Sequence, residues 1–431
     1  MQLTSYLDQG ITQYHAAQFV SRQLADAGFV RLAFDEPFQI TGGGRYYVMP
    51  YESVIFAFTV GEIIRDGSMH VACAHTDFPG LKLKSHPQMI CAGRRSMVQV
   101  NVEPYGGMLK RTWFDRPLGL AGKVLIKTED PYAPKQMLFD SQESWMILPS
   151  LAPHMDRDIE KKELDVQKEM IPVCLAGMNT PCDEDMLMKA ITDKMGITAS
   201  DILDYDLYLY NKEPACYVGI DGRMLSSARI DNLASVAALT EGLIVASGQE
   251  ETAPKTADVN LIALFDNEEI GSRSKQGADS MLFSWITEKI YENPLFQNVN
   301  YKNAMAKSMM LSVDGAHALH PNYKEKTDPT NPVYLGGGIV LKTSASQRYV
   351  TDSRACAIVT ALCDKYDIPI QKQVNRSGMP GGQTLGPIAS SYLPLLAADM
   401  GIPMLAMHSA RELCHESDYE ALRQLMKVWF S

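Results

Sequence analysis

Leu261 to Gly271 reads Leu-Ile-Ala-Leu-Phe-Asp-Asn-Glu-Glu-Ile-Gly, and this stretch decides the predicted fold. An aliphatic run of buried-strand length stops at three carboxylates and an amide, and a glycine then turns the chain. Open α/β sheets bind ligands outside the carboxyl ends of their strands, so the acidic turn is a candidate site. Neighbouring side chains diverge, which lets Glu268 and Glu269 serve different partners, for example a cation and a water proton. A solvated acidic turn is the alternative interpretation.

Size and composition predict an ordinary globular protein with two domains. The chain has 431 residues, of which 46% are hydrophobic and 21% charged, and one core stops growing at ~250–300 residues. A net charge of −11 argues against a general nucleic-acid binder or an anionic-membrane binder. The eight cysteines form no C-x-x-C pair. With no signal-peptide pattern and no uninterrupted apolar run of ~18 residues, the sequence predicts a cytoplasmic protein without a membrane span.

Four further segments place a potential metal ligand after an apolar run or at a helix start: His75, Asp231, Asp314 and His408. Each one alone has an ordinary structural explanation, such as an N-cap for Asp231. Together with Glu269 they supply two imidazoles and three carboxylates, which suits two divalent ions bridged by one carboxylate. Imidazole and carboxylate without thiolate favour catalytic zinc, cobalt or manganese. Glu268 is then left over as a general base.

The alternation of strands and helices is interrupted between residues 83 and 219. Before and after this region, short apolar runs alternate with amphipathic helices, which is typical of an α/β domain. The runs Ser53 to Val60 and Met69 to Ala74 are expected to be neighbouring strands. Residues 83–219 contain β-like alternation and a densely charged segment from 157 to 168, which is expected to be an exposed loop or lid. We therefore predict a second domain inserted into the first.

Seven motifs occur in collinear order between the first helix and about Arg411: His75-Thr76-Asp77, Tyr105-Gly106-Gly107 with Trp113-Phe114-Asp115-Arg116, Arg229-Ile230-Asp231-Asn232-Leu233, Asp266 to Ser272, Asp314-Gly315-Ala316-His317 with His320-Pro321-Asn322-Tyr323, Gln347-Arg348-Tyr349, and Met407-His408-Ser409. This set resembles the aspartyl aminopeptidases, a family of dinuclear zinc exopeptidases. The resemblance implies an α/β fold with a three-layer α/β/α zinc-exopeptidase-like catalytic domain, residues 1–82 and 220–431. It also implies that residues 83–219 form an inserted, mainly β dimerisation or lid domain.

The resemblance assigns a metal-binding role to each of the five candidate ligands. His75 and Asp314 would hold one ion, Glu269 and His408 would hold the other, and Asp231 would bridge the two. Zinc is the expected ion, with cobalt or manganese as alternatives, at two divalent ions per subunit.

Catalytic and substrate-binding roles follow from the same resemblance. Glu268 would be the general base, and Asp77 would orient the metal-binding histidine. Residues expected to contact the substrate are His154, Lys342, Tyr349 and His317. Among these, Lys342 would pair with an acidic substrate side chain, and His154 would reach the site of a neighbouring subunit. His317 equally fits a histidine that orders its own loop.

The predicted function is metal-dependent release of N-terminal Asp or Glu from peptides through a two-metal-activated water. The resemblance implies dimers that assemble into a tetrahedral dodecamer. On the expected substrate side, Phe78 and Gly381 replace the family's usual serine and cysteine. The alternatives are a broad-specificity aminopeptidase or an N-deacylase on the same dimetal site, and a non-enzymatic oligomeric scaffold or cargo protein.

Overall fold

The computed structural model describes residues 2–90, 97–176, 185–248, 257–379 and 381–431, so Cys91 and Cys182 lie outside the described ranges. The chain divides into two compact units. Unit 1 comprises Met1–Phe78, Ala215–Met407 and Glu412–Ser431, and unit 2 comprises Pro79–Pro214 and His408–Arg411. The predicted bounds at 82/83 and 219/220 fall four and five residues beyond the observed ones. The short segment that begins at His408 packs with unit 2, which the sequence did not indicate.

The helices of the described residues are α1 (Leu3–Gln9), α2 (Gln13–Asp26), α3 (Val166–Glu169), α4 (Met186–Met195), α5 (Ile230–Ser247), α6 (Leu282–Tyr291), α7 (Tyr301–Lys307), α8 (Ser353–Lys365), α9 (Leu385–Tyr392) and α10 (Glu416–Phe430). The strands are β1 (Val30–Leu32), β2 (Arg45–Tyr51), β3 (Val54–Val60), β4 (Met69–His75), β5 (Gly80–Ile90), β6 (Met97–Tyr105), β7 (Leu118–Ile126), β8 (Lys135–Asp140), β9 (Val173–Ala176), β10 (Ile202–Asn211), β11 (Cys216–Val218), β12 (Met224–Ser227), β13 (Val259–Phe265), β14 (Met309–Val313), β15 (Ala316–His317), β16 (Ile339–Thr343), β17 (Ile370–Val374), β18 (Leu396–Gly401), β19 (Pro403–Leu405) and β20 (Glu412–His415).

Unit 1 is built on a mixed sheet that has nine strands among the described residues, in the order β1-β2-β3-β13-β4-β14-β18-β16-β17. Strands β13, β4 and β14 are parallel neighbours, so their carboxyl ends meet at one edge of the sheet. Alternate residues of β13 enter two separate cores, Ile262 and Leu264 on one face and Leu261 and Ala263 on the other. Helices α2, α5, α8 and α10 cover the first face, and α6, α7 and α9 cover the second. The predicted three-layer α/β/α fold is therefore confirmed.

One expectation about the strands is wrong. Strands β3 and β4 are not neighbours, because β13 lies between them and pairs with both. Pairing of a strand with partners about 190 residues earlier is a long-range choice that local patterns do not encode. The apolar run that precedes His408 contributes only the short strand β19, which belongs to a second sheet of unit 1, β11-β12-β20-β19-β15. The strand that this region adds to the large sheet is β18, where Asp399 interrupts the apolar pattern.

Helix α5 is the central helix of unit 1 and carries Asp231 in its first turn. Its 18 residues are apolar enough in composition to cross a membrane, but 78% of them are buried within the protein. It packs closely against α10 at Gly242, where a Cβ atom would lie 2.6 Å from Cβ of Met426. A larger residue at Gly242 would separate the two helices. At the start of α5, the side-chain amide of Asn232 donates to the carbonyl oxygen of Val313 at 2.8 Å, which ties this turn to β14.

Unit 2 contains a six-stranded antiparallel sheet among its described residues, in the order β8-β7-β10-β5-β6-β9. Its core includes Trp113, Phe139 and Ile191. The charged segment 157–168 is mostly exposed. Nη2 of Arg111 donates to the carbonyl oxygen of Lys162 at 2.7 Å, which holds this segment to unit 2. Unit 2 is thus mainly β, as expected.

Candidate metal centre

Four of the predicted ligands converge at the edge where the parallel strands of unit 1 end. His75 is the last residue of β4, Asp314 follows β14, Glu269 lies in the turn after β13, and Asp231 lies at the start of α5. One ligand atom of each of His75, Asp231 and Glu269 lies within 4.8 Å of the other two. Nε2 of His75 is 3.5 Å from Oδ1 of Asp231 and 3.6 Å from Oδ1 of Asp314. The strand ends thus bring these side chains into one buried cluster.

The turn that carries the two glutamates is fixed by Asp266. This fully buried carboxylate accepts the backbone N–H of Asn267 at 2.7 Å, the side-chain amide of Gln276 at 2.9 Å and the hydroxyl of Ser53. Burial, reinforced by the charge of Asp77, raises the pKa of Asp266 to about 7. Gly271 closes the turn at φ 95°, in the left-handed region that glycine adopts readily. The acidic turn is therefore a built structure and not a solvated loop.

Asp77 connects His75 to the same turn. Its Oδ1 and Oδ2 accept the backbone N–H groups of Glu268 and Glu269, each at 3.1 Å. Nδ1 of His75 lies 3.4 Å from Oδ1 of Asp77 and 3.0 Å from its carbonyl oxygen. Either acceptor fixes the ring so that Nε2 faces the cluster. Asp77 thus positions the histidine and both glutamates at once.

The carboxylates of the cluster are buried close to one another, which makes their simultaneous ionisation unfavourable. Burial raises the pKa of Glu268 to about 8, against the opposing charge of His75. Burial and the charge of Asp231 raise the pKa of Glu269 well above its usual range. Burial alone would lower the pKa of His75, but hydrogen bonds to Asp231 and Asp314 raise it well above its usual value. In the protein by itself, bound protons neutralise part of the negative charge of these carboxylates. A divalent cation that binds here would displace those protons.

Lys342 adds a cation at the edge of the cluster. Its side chain is 2% exposed, its Nζ lies 3.9 Å from Oδ2 of Asp314, and it sits 5.5 Å from the ring centre of Tyr349. Burial would raise the pKa of Asp314, but Lys342 and His75 lower it below its usual range. Asp314 therefore stays ionised and able to act as a ligand.

Three further histidines were predicted to belong to the site. His317 is exposed in β15 and lines a cavity of unit 1. His408 belongs to unit 2, where its Nδ1 lies 3.1 Å from the carbonyl oxygen of Gly107. His154 is exposed in a turn of unit 2, flanked by Leu151 and Met155, which are 44% and 76% exposed. The metal-binding role of His408 and the substrate-binding roles of His154 and His317 stay predictions.

Two buried carboxylates near the site were missed from the sequence. Oε2 of Glu412 accepts the backbone N–H of Asp231 at 3.0 Å. Asp399 accepts the N–H of Val350 at 2.5 Å and the hydroxyl of Thr384 at 2.8 Å. A signal existed for Asp399, because a carboxylate in the middle of the strand Leu-Ala-Ala-Asp-Met-Gly is unusual. Glu412 begins a short strand, and no local pattern distinguishes it.

The donor set fits a metal ion. Imidazole and carboxylate oxygens are ligands that zinc takes in catalytic sites, and the second ring nitrogen of His75 is held by Asp77, as in metal-ligating histidines generally. The mutual repulsion of the carboxylates is what a bound cation would relieve. His75, Asp231, Glu269 and Asp314 are the residues of unit 1 that would hold it.

Comparisons with known proteins give a consistent result over the whole chain. The model of the family described as aminopeptidase I zinc metalloprotease (M18) matches residues 6–430. A protein of Clostridium novyi (strain NT), described as a probable M18 family aminopeptidase 2, is 38% identical over 434 aligned residues, which cover 100% of this chain and 98% of the relative.

Solved structures share the fold. A chain in the cryo-EM structure of the Ape4 and Nbr1 complex has a TM-score of 0.91 and 31% identity, covering 99% of this chain and 84% of that chain. The mApe1 dodecamer of S. cerevisiae has a TM-score of 0.84 and 24% identity, covering 99% of this chain and 95% of that one, a likeness that shows the fold.

Proposed function

Since the chain belongs to the aminopeptidase I zinc metalloprotease (M18) family, we propose that it releases N-terminal Asp and Glu from peptides, using two divalent ions per subunit. Family membership makes it a metal-dependent aminopeptidase, and the acidic preference and the number of ions are the proposal. The observation that carries the metal-dependent reaction is the buried convergence of His75, Asp231, Glu269 and Asp314 beside Glu268, and the acidic preference rests on Lys342.

The proposed ligand sets divide between the two ions. His75 and Asp314 would hold one ion, Glu269 and His408 would hold the other, and Asp231 would serve both. Zinc is the expected ion, with cobalt or manganese as alternatives, because the set offers nitrogen and oxygen without sulfur.

The proposed mechanism assigns proton transfer to Glu268. The ions, when bound, polarise the scissile carbonyl and make water a stronger nucleophile at neutral pH. Glu268 takes the proton of the attacking water and passes it to the leaving amine. Asp77 fixes the backbone on which Glu268 sits, so the carboxylate need not reorganise between the two transfers.

The proposed acidic preference rests on Lys342. A lysine pairs with a substrate carboxylate as a point charge, and the pairing is strengthened where water is excluded. The 2% exposure of Lys342 and its 3.9 Å distance to Asp314 support a cation held next to the reaction centre. Tyr349 lies against the same lysine and would limit the direction from which a substrate side chain approaches.

We also propose self-association into dimers and a tetrahedral dodecamer, in which His154 contacts substrate in a neighbouring subunit. The exposed apolar residues Leu151 and Met155 beside His154 support a protein contact at this turn. Light scattering of the purified protein tests it, and a monomer at micromolar concentration would contradict it. A cytoplasmic location, without nucleic-acid or membrane partners, stays a prediction from composition.

A substrate panel tests the proposed function. The zinc-loaded protein is assayed with peptides that begin with Asp, Glu, Leu or an N-acylated residue and are otherwise identical. We expect kcat/KM to be highest for Asp and Glu. Equal rates for Leu would establish a broad-specificity aminopeptidase, and cleavage of the N-acyl substrate alone would establish a deacylase. No turnover with any metal would support a scaffold.

A further inference from the structure

A cavity of about 310 Å³ opens in unit 1 and has no role in the mechanism above. Its floor is apolar and includes Val333, Met404 and Met407, while the side chains of Lys326 and Arg376 stand at its mouth. The cavity is formed entirely by residues of unit 1. An apolar floor with cations at the rim fits an apolar stem that ends in a negatively charged group.

The cavity approaches the metal cluster at Gly315, which follows Asp314 in the chain. A Cβ atom at Gly315 would lie 2.9 Å from Cε of Met407 and 3.0 Å from Cε of Met404, two residues of the cavity floor. His317, in its wall, is three residues beyond the ligand Asp314, and Gln373, also in the wall, pairs in register with Lys342. Three residues of extended chain span at most ~10 Å, so His317 places one wall of the cavity within about that distance of Asp314. An extended peptide advances ~3.4 Å per residue. A peptide whose first residue is at the cluster would therefore bring its second to fourth residues to the cavity.

The mouth of the cavity is positively charged in a chain whose net charge is −11. Lys326 and Arg376 are exposed, and neither is ion-paired within the part of the chain that the structure describes. The acid at the mouth, Asp328, already accepts hydrogen bonds from Asn331 and Thr330, and the bond from Asn331 is the main reason its pKa is lowered. Its Oδ1 is thus engaged locally, and it forms no ion pair with Lys326 or Arg376 among the described residues.

We propose that this cavity is a subsite for a carboxylate carried by the second, third or fourth residue of the substrate peptide. The proposal rests on the proposed function, since it assumes that the N-terminal residue of a peptide occupies the metal cluster. Two sources supply the same group: an acidic side chain, or the C-terminal carboxylate of a short peptide. In both cases the stem lies on Met404 and Met407 and the carboxylate meets Lys326 and Arg376.

The test uses tetrapeptide amides that begin with whichever residue the substrate panel shows to be best. Ala at position 2, 3 or 4 is replaced in turn by Glu or Lys, and free-acid di-, tri- and tetrapeptides form a separate arm. Two exposed ion pairs predict that kcat/KM for the preferred carboxylate position exceeds that of the Ala peptide by roughly three- to thirtyfold at low salt. The advantage should shrink at 0.5 M salt because the pairs are exposed to solvent.

Variants test whether Lys326 and Arg376 cause the advantage of the carboxylate peptides. The double variant Lys326→Ala/Arg376→Ala should lose the carboxylate advantage and keep its kcat/KM for the Ala peptide. The matched control Arg22→Ala/Lys302→Ala removes the same two charges at exposed positions on α2 and α7 and should keep the advantage.

Equal rates for the Glu, Ala and Lys peptides, or an advantage that survives in Lys326→Ala/Arg376→Ala, would overturn the subsite. Either result leaves the proposed function intact, because the first residue was chosen by assay. A panel that shows no acidic preference at position 1 would reject that proposal without affecting this test. The amide and free-acid arms tell the two carboxylate sources apart.

Discussion

Replacing Asp77 with asparagine tests how the acidic turn is held at the cluster. The two carboxylate oxygens accept the N–H groups of Glu268 and Glu269, and Oδ1 also lies 3.4 Å from Nδ1 of His75. Asparagine keeps one acceptor and presents its amide N–H groups in place of the other. The backbone N–H of either Glu268 or Glu269 therefore loses its acceptor, and the side chain of that glutamate is displaced.

The expected magnitude follows from two independent quantities. A buried donor without an acceptor costs about 1–3 kcal/mol. Loss of a residue that orients a metal ligand typically lowers metal affinity 10–100-fold, or about 1.4–2.7 kcal/mol. The carbonyl oxygen of Asp77 still accepts Nδ1 of His75 at 3.0 Å, so the histidine remains partly oriented. We expect Asp77→Asn to weaken zinc binding by about tenfold and to lower thermal stability.

Zinc affinity is measured by competition with a chelator, and stability by thermal unfolding of the metal-free protein. The control is Asp258→Asn. Like Asp77, Asp258 is a buried carboxylate that accepts backbone N–H groups, in this case the three of Arg65, Asp66 and Gly67. It precedes β13, whose seven residues separate it from the acidic turn by ~23 Å. The control should lose stability and keep zinc affinity. An Asp77→Asn protein that binds zinc like the wild type, or no worse than the control, would refute the reasoning.

Three further predictions concern the base, the specificity and the pH dependence. Glu268→Gln should retain its metal and lose kcat by roughly 10²–10⁴-fold, and a kcat near that of the wild type would exclude Glu268 as the base. Lys342→Ala should lower the ratio of kcat/KM for N-terminal Asp over Leu peptides, and an unchanged ratio would move acidic recognition elsewhere. Burial raises the pKa of Asp418 from 3.8 to about 6, so the folded chain holds a proton that the unfolded chain releases. The free energy of unfolding should therefore fall as pH rises from about 4 to 6. Denaturant titrations should show a smaller slope for Asp418→Asn, and equal slopes would contradict this assignment.

The convergence of the candidate ligands in unit 1 could be predicted from the sequence because of one geometric rule. Parallel strands that are buried on both faces read as apolar runs, and their carboxyl ends share one edge of the sheet. Residues that directly follow such runs, such as His75, Glu269 and Asp314, must therefore lie close together once the runs are recognised. The distance of 3.6 Å between Nε2 of His75 and Oδ1 of Asp314 is the outcome of that rule.

Other parts of the site depend on long-range contacts that a sequence pattern does not carry. The insertion of β13 between β3 and β4 is a choice of partner among strands of similar composition. The second role of Asp77, as acceptor for two backbone N–H groups of the acidic turn, depends on backbone direction nearly 200 residues away. Asp399 and Glu412 are buried for the same kind of reason, because their partners come from other segments.

The central claim is that His75, Asp231, Glu269 and Asp314 hold metal ions beside Glu268. Diffraction from crystals of the zinc-loaded protein, recorded above and below the zinc absorption edge, tests it most directly. The account predicts two anomalous peaks per subunit bounded by these four side chains, with Asp231 contacting both. Peaks at other residues, or four side chains in contact with solvent and no peak between them, would contradict it.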